Sequence, residues 1–322
     1  MRKSGDFGQR RYVRSGAPST RDLRCKGPAI SLRGVEKSFG SIKALDGLDL
    51  EVQAGACVAL LGQNGAGKST TMRMLTAQSL ADSGEIEVLG YKLPAKAKWA
   101  RMEMGMVPQF DNLDEELTCR QILTTFARLY RVPRSERAEA IVRALQLVKM
   151  ESRANTAVKA LSGGMRRRIL IARGLIHNPK LVLLDEPTVG LDLQIRQELW
   201  SLIASLHAEG VTVLMSTHYI EEAERLADVV VVMAHGKIIA QDSPSELVRK
   251  HAGNQVLEIY ASPTLAPKAV NLVARNRWKS RRSGPMLAIL HAETLGSQAS
   301  EGIRRPANLE DAFVALTGEQ LE

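Results

Sequence analysis

The sequence predicts an α/β fold: a parallel sheet with helices on its faces, a helical insertion and a small C-terminal α+β module. Three observations lead there. Residues 57–61, Cys-Val-Ala-Leu-Leu, form an unbroken apolar run that enters a glycine-rich loop, as expected for a strand buried on both faces. Three more short apolar runs, 181–184, 211–215 and 229–233, are separated by helical or turn text. Such alternation means parallel strands covered by helices. Between them, residues 110–160 change character, with apolar residues at helical spacing among many Arg and Glu.

Taken in order, the text from 29 to about 90 is strand-like, with runs at 29–32, 48–52 and 56–61 separated by glycine-bearing turns. Residues 69–80 read as the helix after the glycine-rich loop. Residues 117–130 and 135–150 read as the two helices of the insertion. Met165, Ile169, Ala172 and Ile176 then form a stripe at helical spacing, so a further helix opens near residue 163. After residue 253 the pattern is mixed: 256–260 and 286–290 read as strands flanking a basic stretch at 275–282. The expected division is a tail over 1–28, a main domain over 29–252 with its helical subdomain at about 110–160, and a module over 253–322.

The formal charge is +9, and residues 1–27 carry eight Lys/Arg against two Asp, which accounts for +6 of it. Interspersed with glycine, serine and proline, this tail reads as disordered and solvated. A competing reading is attraction to anionic lipid, since clustered cations gain on the order of 1 kcal/mol each at such a surface. Arg10-Arg11 has no apolar stretch after it and is not a twin-arginine signal. With only 4% aromatic residues the chain is a poor base-stacking platform, and nucleic acid is not an expected partner. Cys25, Cys57 and Cys119 lie far apart without metal or redox spacing, as in a reducing cytosol. No apolar run approaches the length of a membrane-spanning helix.

The chemistry is concentrated in a few motifs. Gly62-x4-Gly67-Lys68-Ser69 sits between a strand and a helix, the context a phosphate-binding loop requires. Its glycines let backbone N–H groups curl around phosphates, Lys68 brings a point charge, Ser69 offers a hydroxyl to Mg²⁺, and the helix N-terminus adds partial positive charge. Asp185, at the end of an apolar run, is placed to orient the Mg²⁺ shell. Its neighbour Glu186 is a carboxylate suited to polarising water. Phosphoryl transfer asks for positioning and charge neutralisation, so metal, lysine and one base suffice.

From residue 29 onward the chain resembles the nucleotide-binding domain of ABC transporters, with every expected motif in order. Phe39 matches the aromatic that stacks on adenine, and Gly62–Ser69 matches the Walker A loop. Gln109 stands for the Q-loop and Leu-Ser-Gly-Gly-Met at 161–165 for the family signature. Asp185-Glu186 fits Walker B, Gly190-Leu191-Asp192 the D-loop and His218 the switch histidine. Residues 107–114 (Val-Pro-Gln-Phe-Asp-Asn-Leu-Asp), Met165 and the ending Asn308-Leu309-Glu310-Asp311-Ala312-Phe313 are similar to exporter ATPases paired with ABC-2-type membrane proteins, in the style of nodulation-factor-export and daunorubicin-resistance ATPases. There are departures: Met165 replaces the commoner Gln, Phe39 the commoner Tyr, and Val189 the usual Thr or Ser.

The resemblance implies a P-loop NTPase core of RecA-like type that binds ATP and Mg²⁺ and hydrolyses the nucleotide. It implies ATP contacts from Phe39, Gly62, Asn64, Gly65, Gly67, Lys68, Ser69, Thr70, Gln109, Ser162, Gly163, Gly164 and Asp192. Ser69, Gln109 and Asp185 would serve the metal, and Glu186, His218 and Lys68 the catalysis. Ser162, Gly163 and Gly164 would face the γ-phosphate held by Lys68 of a second copy, so the working unit is a homodimer. Permease subunits of ABC-2 type would sit against residues 110–160, with the chain peripheral on the cytoplasmic face of the plasma membrane. Two other readings remain: a soluble ATPase of the same superfamily acting on ribosomes or DNA, and a non-catalytic binding protein. A single cassette, no long coiled-coil insertion and intact Lys68, Asp185, Glu186 and His218 stand against them.

Overall fold

The computed structural model describes residues 27–260, 273, 279–283, 286–295 and 302–318. The basic tail through residue 26, with Cys25, and residues 275–278 of the basic stretch at 275–282 lie outside the described residues.

Three sheets build the fold. In the first, β1 (Pro28–Phe39), β2 (Ile42–Gln53), β4 (Ser83–Val88) and β5 (Tyr91–Leu93) run antiparallel in the order β2-β1-β4-β5. The second and central sheet has the order β10-β9-β3-β8-β7-β6, made by β3 (Cys57–Leu61), β6 (Met104–Val107), β7 (Leu181–Asp185), β8 (Thr212–Thr217), β9 (Val229–Ala234) and β10 (Lys237–Asp242). All its pairs are parallel except the β9–β10 edge hairpin. Every residue of β3, β7 and β8 is buried, the reason those runs show no polar alternation.

The parallel register puts the carboxyl ends of β3, β6, β7 and β8 side by side: Leu61 pairs with Thr217, and Asp185 with Ser216. Open α/β sheets bind ligands at this end. From it depart α1 (Lys68–Leu75), the residues after β6, and the turns after β7 and β8. The expected helix over 69–80 stops five residues early. Ala77 adopts a left-handed conformation (φ 53°), with Ala77 N–H donating to Met74 and Gln78 N–H to Arg73. That is a Schellman ending, here without the glycine that normally announces it.

The insertion carries α3 (Cys119–Leu129) and α4 (Arg137–Leu147), after α2 (Ala97–Glu103). A Thr118/Gln121 capping box opens α3. Next come α5 (Gly163–Leu175), capped by Ser162, and α6 (Leu193–Ala208), capped by Asp192. Then follow α7 (Ile220–Leu226) and α8 (Pro244–His251).

The third sheet joins β11 (Gln255–Tyr260), β12 (Ser280–Ser283), β13 (Met286–Ile289) and β14 (Ile303–Pro306) in the order β12-β13-β11-β14. The strands expected near 256 and 286 are present; β12 and β14 were not anticipated. The last element among the described residues is α9 (Leu309–Thr317), opened by an Asn308/Asp311 capping box and closed at Gly318. Its Leu309, Ala312 and Phe313 lie in the same buried cluster as Leu247 of α8, Ala223 of α7 and the central strands.

Candidate functional site

The loop after β3 is shaped by its glycines. A Cβ on Gly62 would sit 2.4 Å from the Met233 carbonyl oxygen, and one on Gly67, at φ 104°, would sit 2.8 Å from that of Ala44. Neither position accepts a side chain without moving backbone. Gly62 and Gly67 are buried, Asn64 and Gly65 exposed, and Ser69 and Thr70 half-buried. Lys68 folds back over the loop and donates to the carbonyls of Gly62 (2.7 Å) and Gln63 (3.0 Å). Its ammonium is 3.6 Å from Glu186 Oε1, with both side chains almost wholly buried. Burial pulls the Lys68 pKa down, and the Glu186 charge works against that.

Asp185 and Glu186 stand at the end of β7. Asp185 Oδ1 accepts from Ser69 Oγ (3.1 Å) and from Ser216 Oγ (2.6 Å). Glu186 has a left-handed backbone, φ 45°, a conformation that costs a non-glycine residue about 1–3 kcal/mol and is characteristic of functional sites. Its N–H is held by Ser216, donating to the hydroxyl at 3.0 Å and the carbonyl at 3.1 Å. Gln109 Nε2 donates to Glu186 Oε2 at 2.9 Å, and His218 Nδ1 is 3.5 Å from Glu186 Oε1. One carboxylate thus gathers Lys68, Gln109 and His218, residues far apart in the chain.

The other expected residues lie elsewhere. Ser162 and Gly163 are exposed at the start of α5, where Ser162 caps Met165 N–H (3.4 Å). Gly164 is buried beneath Ile195, whose Cδ1 would be 2.2 Å from an added Cβ. Asp192 is exposed and caps Ile195 N–H at 2.9 Å. Phe39 is half-exposed at the β1–β2 turn, with the Lys37 ammonium 5.4 Å from its ring; the following strand brings Ala44 against Gly67.

Two residues of the site were not singled out from the sequence. Ser216, which fixes Asp185 and Glu186 together, has no signal beyond being a serine at the end of a strand. Arg167 is 7% exposed and spends its donors on backbone carbonyls around the carboxylates. Burial lowers its pKa to about 10, so it is still charged at neutral pH. Behind the His218 turn, burial pushes Glu222 upward, while Trp200 Nε1 donates to its Oε1 at 3.2 Å.

The arrangement offers a phosphate cradle with a lysine, a hydroxyl and carboxylate pair of hard oxygen donors, and a second carboxylate aligned by an amide and an imidazole. It fits phosphoanhydride hydrolysis.

Comparison with known proteins agrees. A family model described as ABC transporter matches residues 45–189. The Nod factor export ATP-binding protein I of Ralstonia nicotianae is 41% identical over 306 residues, covering 91% of this chain and 95% of that protein. The protein of the same name from Cupriavidus metallidurans is 42% identical, covering 91% and 98%. Among solved structures, the ATP-binding cassette MJ0796, in a dimeric post-hydrolysis state bound to ADP and Pi, is 28% identical, with TM-score 0.61 over 66% of this chain and 98% of that one. An ATP binding subunit of an ABC transporter is 27% identical, with TM-score 0.65 over 76% and 99%.

Proposed function

The chain belongs to the ABC transporter family of ATP-binding proteins, and on that premise we propose that two copies close around two ATP to drive a membrane exporter. It is an ATP hydrolase, and exporter relatives favour this reading over a soluble ATPase acting on ribosomes or DNA. The observation that carries it is the convergence of Lys68, Gln109 and His218 on Glu186 and of Ser69 on its neighbour Asp185.

In this reading Lys68 exchanges the Gly62 and Gln63 carbonyls for phosphate oxygens. Ser69 and Asp185, already 3.1 Å apart, are the hard oxygen pair that fits Mg²⁺, an ion that commonly takes one or two carboxylates plus the nucleotide's own oxygens. When bound, the ion neutralises charge on the transferring phosphate. Glu186 polarises the attacking water, oriented by Gln109 and His218. Ser162 and Gly163, exposed at the N-terminus of α5, face the partner's γ-phosphate with Gly164 buried just behind them and the helix dipole pointing the same way. Phe39 lies under adenine and Asp192 meets the partner near the nucleotide.

Residues 29–252 are the nucleotide-binding domain, and 253–322 an accessory module. Permease subunits of ABC-2 type dock along residues 110–160, beside Gln109; Phe110 there is 73% exposed. No helix among the described residues is long and apolar enough to cross a membrane, in keeping with a peripheral subunit on the cytoplasmic face of the plasma membrane.

The test is Glu186→Gln. The variant keeps the shape of the site and loses the base, so ATPase turnover falls about 100-fold or more. At saturating Mg-ATP it elutes as a dimer in size-exclusion chromatography with light scattering. A variant that stays monomeric while the wild type hydrolyses ATP refutes the assignment.

A further inference from the structure

Three consecutive arginines follow Met165, and they do different things. Arg166 pairs with Glu115 at 2.6 Å, and Arg168 with Glu198; both are half-buried and in ordinary ion pairs. Arg167 turns inward. Its Nε donates to Pro187 O (2.8 Å), its Nη1 to Pro108 O (2.5 Å) and Gln109 O (3.2 Å), and its Nη2 to Asp185 O (3.3 Å) and Glu186 O (3.2 Å).

All three guanidinium nitrogens are therefore committed to main-chain oxygens on two separate segments. One is the turn after β6 that carries Gln109; the other is the end of β7 that carries Asp185 and the left-handed Glu186. A planar five-donor fork can bridge them, and no other side chain has that geometry. A buried cation given to carbonyls alone is a costly way to add stability, because the same volume filled by an apolar residue avoids the desolvation. Its use here is to hold two backbone segments in fixed relation to a third element.

That third element is α5. Its Ile169, Leu170, Ile171 and Ala172 are all buried and pack it into the core. Its N-terminal residues Ser162 and Gly163 are exposed, five and four positions before Arg167. Anything that displaces the head of the helix displaces the guanidinium, and with it the Gln109 and Glu186 backbones.

We propose that Arg167 is a positioning residue that yokes the signature helix to Gln109 and Glu186. Engagement of one protomer's Ser162–Gly164 by its partner's nucleotide then sets the alignment of that protomer's own catalytic carboxylate. The inference rests on the dimer reading above: the head of α5 reads one nucleotide, Glu186 serves the other, and Arg167 joins them.

The test uses full-length Arg167→Met and Arg167→Lys. Lysine keeps the charge and three donors but cannot span five acceptors on two segments. ATPase rate is measured against ATP concentration, with nucleotide affinity and melting temperature in parallel. The expected result is a kcat reduced about tenfold or more, within the 5–150-fold usual for coupled sites. KM stays near its wild-type value, and the Hill coefficient falls from above one to about one. A loss of folded protein would also lower the apparent kcat at unchanged KM, but it would leave the Hill coefficient of the surviving dimers above one. The fall in cooperativity at wild-type melting temperature is therefore the deciding readout; if Arg167→Met fails to fold, Arg167→Lys carries the test. Arg167→Lys with wild-type kcat and Hill coefficient overturns the proposal, as does a wild-type Hill coefficient of one. Introducing Arg167→Lys into the Glu186→Gln chain keeps the two ideas apart. If Glu186→Gln alone fails to dimerise on ATP, the dimer reading falls. If both chains dimerise, that reading stands and the turnover of Arg167→Lys decides the inference.

Discussion

His177 shows what one buried ring does for this chain. It follows α5, with Nε2 3.1 Å from the Met104 carbonyl and its plane stacked on Tyr130 at 3.8 Å and 3°. Burial drops its pKa to about 4, against about 6.5 in an unfolded chain. The unfolded state therefore takes up a proton that the folded state refuses between these values. Stability is level above pH 6.5 and falls as pH drops toward 4, by about 2 kcal/mol at pH 5. His177→Phe keeps a ring on Tyr130, loses the Met104 hydrogen bond at about 1 kcal/mol, and removes the titration. Urea unfolding is expected to find the variant less stable at pH 8 and equal or better at pH 5; an equal deficit at both pH values contradicts it. At this scale the sequence was legible where side chains at fixed spacing are brought together by the fold. Lys68, Ser69, Asp185 and Glu186 are of that kind. Arg167 and Ser216 act on main-chain groups brought to them by the fold, and no spacing rule marks such partners.

Among elements, the seam between α5 and β6 governs the site. Gly105 of β6 and Gly174 of α5 face each other so closely that a Cβ on Gly105 would sit 2.3 Å from Gly174 O. That approach brings the helix near enough for Arg167 to reach Pro108 and Gln109, three and four residues beyond Gly105. Gly105→Ala meets backbone, so the helix or the strand must move, at about 1–3 kcal/mol. Urea unfolding should show that loss, and the ATPase kcat should fall with it because the Gln109 turn moves relative to Glu186. Unchanged turnover in a destabilised variant would disconnect the seam from the site. The parallel strands were readable because burial on both faces leaves an uninterrupted apolar run. The stop of α1 at Leu75 and the strands β12 and β14 were not, since Ala77 in a left-handed turn and the short segment Ile303–Pro306 carry little local preference.

For the molecule as a whole, the last helix closes the structure onto itself. The sequence marked Asn308 through Phe313 by resemblance alone, and the packing supplies a physical reason for them. Asn308 and Asp311 cap α9, and Asp311, fully buried, accepts from Arg305 at 2.6 and 2.9 Å and pairs with Arg281 at 2.8 Å. These ties hold α9 to β12 and β14 of the third sheet. Phe313, 1% exposed, turns the other way, into the core shared with α7, α8 and the central strands. With a helix anchored on both sides, the C-terminal module and the nucleotide-binding domain are expected to melt together. Phe313→Ala is therefore expected to cost about 3–5 kcal/mol, a large part of a typical 5–15 kcal/mol total. Urea unfolding followed by both circular dichroism and tryptophan fluorescence should show one transition moved to lower denaturant, with the two probes still coincident. An early separate transition, leaving the nucleotide-binding domain at its wild-type midpoint, would mean that α9 stabilises only its own sheet and that the two parts fold independently.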